Sequence, residues 1–166
     1  MTLRLSKILL VACAGLLGLV TGLGNVLDYG TNFEVVRHVM SMDTTGAGEA
    51  MMARAILSDT LHRVAYAAII AVELAYGGLC LVGAQRLFVA LKGGAADFEA
   101  AKSMAVAGLT LGVLLYCFGF MIVGGEWLQM WRSAEWNFQQ PAFRFLVILA
   151  IVLIFLATPE PCDARA

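Results

Sequence analysis

"YAAIIAVELAYGGLC", residues Tyr66 to Cys80, decides how this chain is read. Everything around Glu73 suits a helix in hydrocarbon, yet a carboxyl group sits in the middle of it. A charge near the centre of a membrane helix costs about 2.5–3.5 kcal/mol on insertion scales. Glu73 must therefore stay protonated or face inward toward a donor. At ~100° per residue, His62, Tyr66, Glu73, Tyr76 and Cys80 lie within roughly 40° of one direction. Ala67, Ile70, Val72 and Leu74 fall away from that seam. Tyr116, Thr110, Thr21 and Asn25 are the candidate donors on other helices. Arg144 is expected to snorkel toward Asp28 or Glu126 rather than reach Glu73.

The rest of the chain has the same solvent preference. It is 61% hydrophobic and 14% charged over 166 residues, where a soluble domain carries roughly 25% charge. Ile8–Leu27 and Ser103–Gly125 are charge-free runs that reach the ~20 residues needed to span a bilayer as helix. Val64–Gln85 is a third run, broken only by Glu73, and Pro141–Thr158 is a fourth, with Arg144 near its start. The expected fold is therefore all-α: a polytopic membrane protein with four transmembrane helices over 5–27, 61–86, 102–124 and 141–158. The four spans leave no room for a separate soluble module, so residues 1–166 form one domain.

"LVAC" (Leu10–Cys13) matches a lipoprotein cleavage pattern. Only five residues separate Lys7 from Cys13, fewer than the ~7–15 apolar residues a signal core requires. The first segment is read as an uncleaved helix. Lys7, Lys92 and Lys102, with Arg4 and Arg86, place both termini in the cytoplasm by the positive-inside rule. Cys13, Cys80, Cys117 and Cys162 are read as small buried hydrophobes, and no Cys-x-x-Cys or His-rich metal spacing occurs. The net charge of -1 and the lack of a basic block argue against nucleic acid as a partner.

The two outer loops carry the remaining signals. In "TNFEVVRHVMSM", Thr31 and Glu34 have capping-box spacing. Glu34, Arg37, His38 and Ser41 make a polar stripe opposite Phe33, Val36, Val39 and Met40. "GEAMMARAIL" reads as a second short helix, and Ser58, Asp59 or Thr60 caps the second span. The second loop holds all three tryptophans. Trp127, Trp131, Ala134 and Phe138 fit one face of an interfacial helix. Short amphipathic helices are thus expected in both outer loops. The candidate recognition residues on this side are Asp28, Tyr29, Glu34, Arg37, His38, Trp127 and Trp131.

Small residues suggest how the spans pack. Gly15, Gly18 and Gly22 on the first, Gly108, Gly112 and Gly119 on the third, and Ala71, Ala75, Gly77 and Gly78 on the second permit close backbone approach. The fourth span has no glycine and is placed at the edge.

"NVLDYGTNFEVVRHVMSMDTT" (Asn25–Thr45), "LHRVAY" (Leu61–Tyr66), "GGEWLQMW" (Gly124–Trp131) and "WNFQQPAFRF" (Trp136–Phe145) resemble the signature segments of the bacterial predicted small integral membrane proteins of unknown function. The resemblance runs from Leu5 to Ala157. It implies four membrane helices and a bacterial inner-membrane home, and no established reaction.

No catalytic constellation or metal set accompanies these features, so the chain is read as a non-enzyme. The leading expectation is an accessory or scaffold subunit of a membrane complex, with the lipid bilayer and other subunits as partners. A small carrier or proton-coupled transporter using Glu73 is the alternative, as is a quinone- or lipid-binding subunit. No cofactor is expected, although the greasy interior leaves room for a quinone or lipid. His38 and His62 both lie at or beyond the outer boundary, which disfavours a haem held between spans. The candidate intramembrane site comprises Glu73, Tyr66, Tyr76 and Tyr116.

Overall fold

Four helices long and apolar enough to cross a bilayer organise the computed structural model, which describes residues 1–160. Helix α1 (Thr2–Leu27) is followed by α2 (Tyr29–Ser41) and the single turn α3 (Glu49–Met52). Helix α4 (Asp59–Val89) begins where the Ser58 hydroxyl accepts a hydrogen bond from the Leu61 N–H, satisfying one open donor of the first turn. A turn leads to α5 (Ala95–Ala101) and α6 (Ser103–Leu114). From Leu115 to Trp127 the third span continues as π-helix. A 3-10 turn (Met130–Arg132) precedes α7 (Gln139–Ala157). No strand occurs among the described residues. Cys162 lies outside them.

With no hydrophobic driving force between helices in lipid, association depends on close packing. Helix α4 is the centre of that packing. At Gly83 a methyl group would lie 2.5 Å from the Ala105 nitrogen and 2.6 Å from its Cα, so α4 and α6 meet backbone to backbone. At Gly18 a methyl would lie 2.5 Å from the Tyr76 ring and 2.9 Å from the Glu73 carbonyl, so α1 lies against α4 just as closely. Helix α7 packs against α6 through Leu149 and buries Ala142, Val152 and Leu156. Its other face, with Ile148, Ile151 and Ile154, is exposed toward the tails. It is an edge helix with one buried stripe.

Three packing expectations change. Ala71 and Ala75 are exposed, and Gly78 has nothing within 4 Å, so only Gly77 of that set meets α1. Gly119 lies beyond the switch to π winding, which turns it off the Gly108–Gly112 stripe; its nearest contact is the Leu115 side chain. Ile70 is buried with Phe33 and Tyr66, because α2 folds over that side of α4. Among the cysteines, Cys80 is buried, Cys117 is half-buried and Cys13 is exposed.

The loops differ as well. The Thr31–Glu34 capping box does not form, because α2 already starts at Tyr29 and Glu34 bonds Arg37 instead. The second loop has no amphipathic helix beyond its single 3-10 turn. Gln129 takes a left-handed conformation (φ 54°) and Ser133 is extended, so the chain cannot wind on through Ala134 to Phe138. Trp127, Trp131 and Phe138 therefore do not share a helical face.

At the end of the bundle that holds Met1 and Glu160, charges tie the spans together. Lys7 Nζ donates to the Thr158 carbonyl and Glu160 Oε1, both at 2.7 Å. Arg4 donates to Glu160 Oε2 at 2.9 Å and to the Leu91 and Gly93 carbonyls. Lys102 donates to Thr158 O and Glu99 Oε1, both at 2.8 Å. Lys7 and Lys102 are only 3% and 5% exposed, so these lysines are buried partners and not free surface charges. Burial pushes the Glu160 carboxyl up, but the bonds from Lys7 and Arg4 outweigh it and hold it below the ordinary carboxylate range.

We predict that Gly83→Ala destabilises the bundle by about 1–3 kcal/mol through overpacking against Ala105. Gly24→Ala, where no atom lies within 4 Å, should leave thermal unfolding in detergent nearly unchanged. Equal effects at the two positions would contradict this packing.

Candidate functional site

Glu73 is 2% exposed and lies where α1, α4 and the π segment converge. Its position follows from the glycines of α1. Gly18 and Gly22 let the α1 backbone press on the Glu73 turn; a methyl at Gly22 would lie 3.2 Å from Glu73 Cβ. Three residues further along α1, Asn25 Nδ2 donates to Glu73 Oε2 at 2.7 Å. From the π segment the Tyr116 hydroxyl donates to Glu73 Oε1 at 3.4 Å, a long contact for an O–H donor. Tyr66 donates to the Asn25 backbone carbonyl at 2.9 Å. That carbonyl belongs to the last turn of α1, where helix acceptors are left open, so Tyr66 bonds this acceptor and fixes the residue that holds Glu73.

The inward seam of α4 is thus real: His62, Tyr66, Glu73, Tyr76 and Cys80 are all buried. Its members do different things. The Tyr76 ring packs edge-on to Tyr116 with centroids 6.4 Å apart, but its buried hydroxyl makes no hydrogen bond among the described residues. His62 Nε2 lies 2.6 Å from the Ile56 carbonyl and anchors the start of α4. Of the other expected donors, Thr110 is exposed on the far side of α6. Thr21 bonds the Leu17 carbonyl of its own helix. Arg144 is exposed and forms no ion pair with Asp28, Glu126 or any other described residue.

Glu73 lines a cavity of about 210 Å³. Tyr66, Tyr116, Phe120, Phe138 and Phe145 supply aromatic walls, and Asn25 and Asn32 supply amides. Glu73, Tyr66, Tyr116 and Ala142 are buried, while Thr21, Asn25, Asn32 and Pro141 keep exposed surface. The cavity therefore opens between α1, α2 and the start of α7. Toward the termini it is closed. Val11, Cys80, Leu109 and Leu149 are fully buried there in one apolar cluster. Gly108 packs on Cys80 tightly enough that a methyl would lie 2.8 Å from its sulfur.

Helix α2 roofs this end of the bundle. Its apolar face points down, as its sequence period predicts, and its polar stripe carries a bonded chain. Arg37 bonds Glu34 and donates to His38 Nε2 at 3.1 Å, while His38 Nδ1 donates to Asp43 at 2.9 Å. The Glu34 bond holds the Arg37 guanidinium above its ordinary pKa. The His38 ring stacks on Trp136, 4.4 Å between centroids at 13°. The loops interlock further. Arg132 donates to the Thr45 and Gly46 carbonyls, the Thr44 and Ser133 hydroxyls meet at 2.8 Å, and Arg54 lies 4.3 Å above the Trp127 ring.

The proposed outer recognition residues do not form one site. Glu34, Arg37 and His38 are linked; Tyr29 packs on Phe33 and Tyr66. Asp28 is exposed at the α1–α2 junction, and Trp127 and Trp131 are half-exposed beside Arg54 and Arg132. The sequence reading missed Asn32, Phe138 and Phe145 in the cavity wall, and Trp136 on His38. The aromatic run "WNFQQPAF" (Trp136–Phe143) was the available signal, but only the fold shows which rings turn inward.

The chain belongs to a family described as predicted small integral membrane protein (DUF2165), which matches residues 3–159. No curated protein and no solved structure matches it.

We predict that Asn25→Leu lowers stability by about 1–3 kcal/mol, the usual penalty for leaving a buried polar group without its partner. Tyr116→Phe should cost less, because its contact is longer. The double variant Asn25→Leu/Glu73→Leu should lose less than the sum of the two single changes in thermal unfolding. Strict additivity would mean the pair is not coupled.

Proposed function

We propose that this integral membrane protein is a non-enzymatic binding subunit that holds a membrane-soluble amphiphile, a quinone or lipid, in the Glu73 cavity. The observation that carries the reading is the shape of the site. A buried carboxyl with two donors lines a pocket that is closed toward the terminal charges by a packed apolar cluster. An intramembrane ionisable group is a functional candidate by default, and a largely apolar pocket with a few converging polar groups is the usual form of a small-molecule site. The tightly packed apolar cluster between Glu73 and the terminal charges supports retention over passage. A carrier would need polar stations on both sides of the acid, and among the described residues the buried polar side chains further along are those of the terminal ion-pair network.

The interlocked loops and the exposed apolar face of α7 suit an accessory role within a larger membrane complex, with no part for nucleic acid. We further infer residence in a bacterial inner membrane with cytoplasmic termini, following the lysine distribution. Cysteine introduced at Glu49, in the first loop, should then react with an impermeant maleimide added to intact spheroplasts. Labelling only after lysis would reverse the orientation.

For the binding reading, protein purified from native membranes in mild detergent should carry a non-covalent small molecule by native mass spectrometry. Glu73→Leu should reduce its occupancy at least tenfold. An empty wild-type pocket, together with a Glu73-dependent proton flux in liposomes, would favour the carrier instead.

A further inference from the structure

A second, wholly apolar chamber of about 310 Å³ lies beside the Glu73 cavity of about 210 Å³. It is bounded by the underside of α2, the outer half of α4 and the π segment, through residues such as Val39, Met40, Ala65 and Val123. No polar side chain enters its wall. The two chambers share Val35, Val36, Ile69 and Phe120, so these four side chains form the partition between them. Together they reach the ~300–1,000 Å³ range of small-molecule sites.

The two chambers differ sharply in chemistry. On the polar side, Glu73 Oε1 receives only the long Tyr116 contact among the described residues, and a carboxyl oxygen can accept more than that. Flat aromatic walls surround it. On the other side the lining side chains offer no hydrogen-bond donor or acceptor. A ring bearing a hydroxyl at one end and a hydrocarbon chain at the other matches both chambers: the ring the aromatic walls, the hydroxyl the carboxyl, the chain the apolar side.

Resting on the reading of the Glu73 cavity as a ligand site, we propose that its ligand is a chain-bearing phenol or quinol. The hydroxyl of the ring donates to Glu73. The ring lies among Tyr116, Phe138 and Phe145, and the chain crosses the Ile69–Phe120 partition into the chamber beneath α2. The roof helix thereby becomes part of the binding site through its apolar face.

The test uses two probes with one head, methylhydroquinone and decylhydroquinone, titrated onto the full chain in lipid nanodiscs. Affinities are expressed per mole fraction in lipid, so that simple partitioning cancels. The decyl compound should bind the wild type at least tenfold more tightly. Ala65→Leu and Val39→Phe, which fill the apolar chamber, should each erase that advantage and leave the methyl compound unaffected. Glu73→Leu should weaken both probes. Equal affinity of the two probes for the wild type, or a chain advantage that survives both filled variants with normal thermal unfolding, would overturn the two-chamber ligand while leaving the Glu73 site standing. Failure of both probes to bind the wild type would remove the site itself.

Discussion

The hydrogen bond from Asn25 to Glu73 is the constraint on which the rest of this structure depends. A carboxyl group inside an apolar span needs a donor, and among the described residues no lysine or arginine bonds it. The donor comes from α1, and α1 can deliver it only by lying against α4 at glycine distance. Gly18 and Gly22 are therefore part of the polar site although they carry no polar atom. Tyr66 extends the same logic by holding the Asn25 backbone. Two helices, one acid and one amide fix each other's rotation, and α6 then seats against the remaining face of α4.

Much of this was legible in the chain. Four apolar runs report four spans because lipid demands internally bonded helices of a known length. The buried seam of α4 was readable because it keeps a strict 3.6-residue period. The downward face of α2 was readable for the same reason. Asn25 could be proposed as a donor but not chosen over Thr110 or Thr21, since the choice depends on how deeply two backbones interpenetrate. Partition of the tryptophans among three different neighbours is likewise a tertiary fact, invisible to any local period.

The π winding from Leu115 to Trp127 explains a further part of what periodicity missed. Its hydrogen bonds run to the fifth residue, as from Leu128 N–H to Val123 O, so side chains beyond Leu115 drift off the α-helical faces that precede them. Gly119 leaves the packing stripe, and Tyr116 and Phe120 turn toward the cavity. Such winding is rare and concentrates at functional positions. Here the altered segment forms a wall of both chambers.

The knot of charges at the termini has a consequence for how the molecule is made. Arg4 and Lys7 meet Glu160 and Thr158, acceptors that emerge from the ribosome only after every span has been synthesised. At roughly 5–20 residues per second the first helix waits on the order of ten seconds for its neighbours to arrive. Arg4 has the Leu91 and Gly93 carbonyls to bond once the second span is made, but Lys7 gains its acceptors only with the last helix. The last helix, on entering, supplies acceptors for three basic side chains at once, so the final insertion step also draws the first helix into register.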